Sequence, residues 1–218
     1  MMVIFPGVQL EPSLYYQWDT SIHFALGEDI SPWESGMARL NPRYFHLVYQ
    51  QTNTLFDALF DKDDSIWLVT NNYKPKRAKR QTAKKMKVYQ PHIKTKHILQ
   101  RLQQRTIAYP FDEDDSADWE TNQFVLQCRK QDIAYQGLIK AICNQDFPRN
   151  KPAVYNPYGS YAPDVFFINA AKHVIYYIYD DRGCEVIAKD KETIRPIYHK
   201  YKDWIDDYNR PEVDEHFS

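Results

Sequence analysis

The stretch D-V-F-F-I-N-A-A-K-H-V-I-Y-Y-I-Y-D-D-R-G-C-E-V-I-A, residues 164–188, decides how this chain folds. Two apolar runs, Asp164–Asn169 and His173–Tyr179, flank A-A-K and read as a hairpin. After D-D-R-G, the segment Cys184–Ala188 reads as a third short strand. Runs this apolar suit central strands covered on both faces. Antiparallel partners share a constant index sum, so a turn at Ala170–Lys172 sets Asp164 opposite Tyr179 or Asp180.

Outward from the hairpin the pattern is mixed. Ser21–Gly27 alternates as a strand ended by a turn glycine. Asn41 caps a helix with Pro42 at its first position, and apolar residues recur at helical spacing through Phe60. Ser65–Thr70 reads as a buried strand and Thr121–Arg129 as another. Pro91 opens a ragged helix reaching towards Arg105, and Tyr135–Phe147 forms a short helix. Asp190 or Thr193 caps a last helix with a stripe of Ile194, Ile197, Tyr201, Trp204, Ile205 and Tyr208. Pro196 fits that helix only in its first turn. The expectation is an α+β fold: one domain over 1–218, with a mixed or mainly antiparallel sheet of about five strands and packed helices.

Charge is unevenly spread. Residues 1–73 carry 3 Lys/Arg against 9 Asp/Glu, residues 74–106 carry 12 and none, and residues 107–218 carry 13 and 20. The block Lys74–Lys87 has almost no apolar residues, so 74–90 reads as a basic loop or extension. Its cations Lys74, Lys76, Arg77, Lys79, Arg80, Lys84, Lys85 and Lys87 are candidate phosphate contacts, and 74–106 a candidate nucleic-acid grip. Asp112–Asp118 reads as an acidic loop, and the block can dock instead on the acidic segments Asp112–Glu120 or Asp61–Asp64. Three widely spaced cysteines form no disulfide framework or zinc spacing, no basic leader opens the chain, and no run spans a membrane. Cytoplasmic localisation is expected, without metal, cofactor or membrane partner.

The signature F-F-I-N…Y-D-D-R-G-C-E-V-I-A…K-E-T-I-R-P-I-Y-x-K-Y-x-D-W-I, with K-A-I-C-N-Q-D-F-P and N-P-R-Y-F…T-L-F-D-A-L-F before it, resembles a bacterial family known as domain of unknown function 3885. The resemblance spans most of the chain and is most specific over 164–208. It implies a small cytoplasmic bacterial protein without an established activity or catalytic residues.

Two functional readings follow. In one, Asp164, Asp180 and Glu185 hold Mg²⁺ beside Arg182, an echo of metal-dependent nucleases that place a later D/E-x-K beside a P-D. The chain departs from that pattern because Arg182 stands where lysine is usual, and arginine does not give up its proton. The plainer reading makes Asp180, Asp181, Arg182 and Gly183 a structural corner, with Gly183 at positive φ and Arg182 paired to a carboxylate. Cys184 beside Arg182 reads more simply as a buried small hydrophobe than as a nucleophile. With no catalytic constellation in sequence, a non-enzymatic protein-binding module is the leading expectation, in an immunity- or antitoxin-like version. Tyr158, Tyr161 and Trp204 are its candidate contacts. The alternative is a nucleic-acid-binding or degenerate nuclease-like protein.

Overall fold

A computed structural model describes residues 5–36, 39–78, 90–111, 117–147, 149–156, 158 and 161–218. Its elements run β1 (Ser21–Ala25), α1 (Pro42–Leu59), β2 (Ser65–Pro75), β3 (Gln103–Ile107), β4 (Trp119–Arg129), α2 (Tyr135–Cys143), β5 (Asp164–Asn169), β6 (Val174–Ile178), β7 (Gly183–Ala188), α3 (Lys191–Tyr201) and α4 (Arg210–Phe217). All seven strands join one antiparallel sheet in the order β1-β7-β6-β5-β2-β4-β3. The α+β class and antiparallel pairing agree with the sequence, but the expected five strands are seven.

Two features account for the larger sheet. Strand β3 is Q-Q-R-T-I, an edge strand with no apolar alternation, and it lies inside the span expected to be helical. Polar edges protect a sheet from pairing with another chain, and they erase the strand signal in doing so. The ragged helix of 91–105 is instead two 3-10 turns, Gln90–His92 and Lys96–Arg101, leading into β3. Strand β2 runs on past Thr70 through Asn71, Asn72, Tyr73 and Lys74, where it pairs with the first half of β4. The basic block therefore begins inside a strand.

Helix α1 starts as its cap predicts, with the Asn41 side chain accepting from the Arg43 N–H at 3.1 Å. It packs Val48, Leu55 and Phe56 onto the sheet, where Phe56 lies 4.6 Å from both Phe60 and Tyr135 and 5.0 Å from Phe167. Pro196 sits beyond the first turn of α3, which begins at Lys191, so the expected placement is corrected. The apolar stripe expected to continue to Tyr208 breaks after Tyr201; a 3-10 turn at Lys202–Trp204 and the separate helix α4 follow.

The opposite face of the sheet has no α-helix over it among the described residues. Val69, Phe166, Ile168, Ile175, Tyr177 and Ile187 are covered there by Phe5, Leu14 and Trp18 of the N-terminal segment. Three hydrogen bonds strap that segment down. Trp18 Nε1 donates to the Ala188 carbonyl at 2.7 Å, Asn71 Nδ2 to the Leu10 carbonyl at 2.6 Å, and the Tyr15 N–H to Glu185 at 3.2 Å. Burying each large apolar side chain of the strap contributes about 1.5–3 kcal/mol. The hairpin strands are apolar on both faces because helices cover one side and this strap the other.

Candidate functional site

Strand alternation sorts the chemistry of residues 164–188 onto two faces. Tyr177 pairs with Glu185, which pairs with His23, and Phe166 pairs with Tyr177. These side chains share the strap face, as does Asp164, two residues before Phe166. Cys184, Val186 and Ile178 point to the helix side. Asp180 follows Tyr179 at the strand end and lies on that helix side, near Asp146 and Asp181. Asp164, Asp180 and Glu185 therefore do not converge, and the expected metal triad is divided by the sheet.

Each of these residues has its own surroundings. Asp164 is half-buried as a residue, and its carboxyl accepts from the hydroxyls of Tyr177, at 2.7 Å, and Tyr73. Burial pushes its pKa up to about 6, against the lowering effect of both hydroxyls. Asp180 accepts from the Arg182 Nε at 2.8 Å and the Arg182 backbone N–H at 2.7 Å, and Arg182 Nη2 closes the pair. Asp181 accepts from the Tyr44 hydroxyl at 2.7 Å. Asp146, Asp180 and Asp181 offer oxygens within 4.8 Å of one another, the one such group among the described residues. Burial raises the pKa values of Asp146 and Asp181, with mutual repulsion adding to it. This corner is braced by Arg182 and Tyr44. Gly183 does not take the expected positive φ; its missing Cβ makes room for the Tyr179 ring, which a methyl group would strike. Cys184 is fully buried and burial pushes its thiol pKa up, away from nucleophilic use.

On the strap face a pocket of about 300 Å³ opens beside the β1 edge, lined by Pro12, Ser13, Tyr15, Tyr16, His23, Tyr179, Glu185 and Asn209. Glu185, 5% exposed, forms part of its wall. Burial raises its pKa to about 7, offset by the backbone N–H groups of Tyr15 and Leu14 and reinforced by Asp164. His23 stacks on Tyr179 with ring centroids 5.7 Å apart. Its Nδ1 lies 3.2 Å from Asp206 and its Nε2 2.9 Å from the Tyr179 hydroxyl. A neutral ring with its proton on Nδ1 donates to Asp206 and accepts from Tyr179. Burial raises the Asp206 pKa, but bonds from Asn209 and His23 bring it below the ordinary value. Burial also holds the Tyr179 phenol protonated. The Asp206–His23–Tyr179 chain thus fixes one wall of the pocket.

The rim is aromatic and acidic. Tyr16 is 82% exposed, and Tyr208, next to Asn209, is 91% exposed. Glu28, though exposed, feels repulsion from Asp206, Asp29 and Asp207 on top of a partial desolvation, and Tyr15 feels Glu212, Tyr16 and Asp206 likewise. Arg210 offsets part of this charge while bonded to Asp207 and to the carbonyls of Lys202 and Ile205. The sequence did not single out His23, Asp206, Tyr16 or Tyr208 as a group. The D-W-I-D-D-Y-N segment 203–209 and L-Y-Y 14–16 are its trace there, but only the β1–β7 pairing brings them together.

The other expected contacts lie elsewhere. Lys74 is 1% exposed, with its ammonium against Glu120 at 2.5 Å and the carbonyls of Pro75 and Ala78. Lys74 is buried because β2 extends through it, and, paired with the half-buried Glu120, it is not free to grip a phosphate. Lys76 Nζ donates to the Ala117 carbonyl at 2.7 Å, and Arg77 is exposed. Lys79, Arg80, Lys84, Lys85, Lys87 and residues 112–116 of the acidic loop lie outside the described residues. Tyr161 stacks on Phe111 at 4.3 Å, Tyr158 is half-buried, and Trp204 stacks on Tyr201 at 4.8 Å. Tyr161 and Trp204 are thus held by different elements rather than joined in one surface.

Among the described residues, no helix is long and apolar enough to cross a membrane. No solved structure matches the chain. It is 46% identical over 204 residues to "Uncharacterized protein YnaE" of Bacillus subtilis (strain 168), covering 94% of each chain. The family described as "Domain of unknown function (DUF3885)" matches residues 1–209, the strap, the whole sheet and α1 to α3 included. This chain belongs to that family.

Proposed function

We propose that this protein is a non-enzymatic protein-binding module of the immunity- or antitoxin-like kind, which docks a basic partner protein on the surface around the Glu185 pocket. The observation that supports this most is the pair of exposed tyrosines, Tyr16 and Tyr208, set among Glu28, Asp29, Asp206, Asp207 and Glu212. Exposed tyrosine offers large contact area at low entropic cost, and a mainly acidic rim steers an oppositely charged partner. The geometry of His23, Asp206 and Tyr179 suits this reading, since their hydrogen bonds hold a preformed surface and leave the Tyr179 hydroxyl committed as a donor.

Affinity capture from the native host tests it. The wild-type chain is expected to retain a basic protein that the Tyr16→Ala/Tyr208→Ala variant loses by tenfold or more, as befits two central aromatic contacts at about 1–2 kcal/mol each. Both side chains are exposed, so the variant keeps its fold. Capture of nucleic acid alone, or equal capture by both forms, would count against the proposal.

A further inference from the structure

The Glu185 pocket holds an unneutralised buried carboxylate within aromatic walls. Among the described residues Glu185 takes part in no ion pair; its recorded partners are the N–H groups of Tyr15 and Leu14. Of the other buried acids, Asp180 and Asp132 each have an arginine, Arg182 and Arg129, and Asp181 has the Tyr44 hydroxyl. Leaving a carboxylate desolvated without a cation is costly. Here it lines an open pocket of about 300 Å³ rather than a closed core.

The walls narrow the ligand class. Tyr15 and Tyr16 stand edge to face, with centroids 5.3 Å apart, and Tyr179, also in the lining, is held parallel to His23. Aromatic faces beside a carboxylate favour a cation, and an anion meets Glu185 head on. A guanidinium fits better than an ammonium, being flat, weakly hydrated, able to stack on a ring and to bind a carboxylate through two N–H groups.

We infer that the pocket receives the guanidinium of an arginine side chain, with Glu185 as its counter-charge and the tyrosine rings as its walls. This rests on the protein-binding reading and names the anchor that the basic partner inserts. The groups facing Glu185 are His23 across β1, Tyr177 on β6 with Asp164 beyond it, Tyr15 from the strap, and Asp206 behind His23. On acidification Glu185 takes up a proton and loses its attraction. Binding of the cation therefore weakens as pH falls through about 7.

The test uses no partner protein. N-acetyl-arginine methylamide is titrated into the full chain and followed by NMR shifts of the residues around Glu185, with N-acetyl-lysine methylamide as the comparison. The arginine probe is expected to give saturable shifts confined to the pocket. They should weaken at least about tenfold in Glu185→Gln, several-fold in the surface variant Tyr16→Ala, and again between about pH 8 and about pH 5.5. No saturable shift, shifts unchanged in Glu185→Gln, or a lysine probe that binds as tightly would overturn the assignment. Failure here with successful partner capture removes the pocket and leaves the surface; probe binding with failed capture does the reverse.

Discussion

Asp164→Ala is expected to cost about 2–5 kcal/mol at about pH 5, because it strands two buried phenols, Tyr73 and Tyr177, each at about 1–3 kcal/mol. Asp164→Asn should behave differently. It keeps the shape, accepts from one hydroxyl and donates to the other, and removes only the charge. The carboxyl has a folded pKa of about 6, raised by burial above the ordinary value of about 3.9. Between those two values the folded chain holds a proton that the unfolded chain releases. Stability from this group is therefore greatest below about pH 4 and declines as pH rises to about 6. Wild type should thus lose about 3 kcal/mol relative to Asp164→Asn across that window. Glu185, raised in the same direction mainly by its own burial, is present in both chains, and the asparagine removes only the smaller part of its shift that Asp164 adds. Urea unfolding at several pH values checks this. A wild-type-to-Asn difference that stays flat with pH would show that the carboxyl is not buried as described.

Gly183→Ala is expected to destabilise the fold by about 1–3 kcal/mol, the usual cost of forcing a methyl group into filled space. The new methyl group meets the Tyr179 ring, so Tyr179 must swing away. That movement breaks its bond to His23 and opens the pocket wall. Loss of stability should therefore come with an altered His23 NMR resonance and weaker binding of the arginine probe. A variant as stable as wild type, with His23 unchanged, would contradict the packing.

These two residues show how far the sequence could be read. The hairpin, the α1 cap and the Cys184–Ala188 part of β7 were legible because apolar runs and caps are local signals. The register, Phe166 opposite Tyr177, also agrees with the turn, which put Tyr179 or Asp180 across from Asp164. Which face each side chain takes was the missing step: one residue of offset sends Asp164 to the strap and Asp180 to the helices. Gly183 read as a turn glycine, since sequence cannot show a ring arriving from four residues earlier. Lys74 read as part of a solvated block because its partner Glu120 lies on β4, far along the chain. The Asp206–His23–Tyr179 chain joins β1, the end of β6 and the loop before α4, and no spacing rule connects those three places.

The central claim is that partners dock on the acidic, tyrosine-rich surface around Glu185. The most direct measurement places a photo-activatable side chain at position 208 or, separately, at exposed Tyr155, and irradiates each protein in its native host. A discrete cross-link to a basic protein from position 208, absent from position 155, is the predicted result. A cross-link from position 155 and none from 208 would contradict the account.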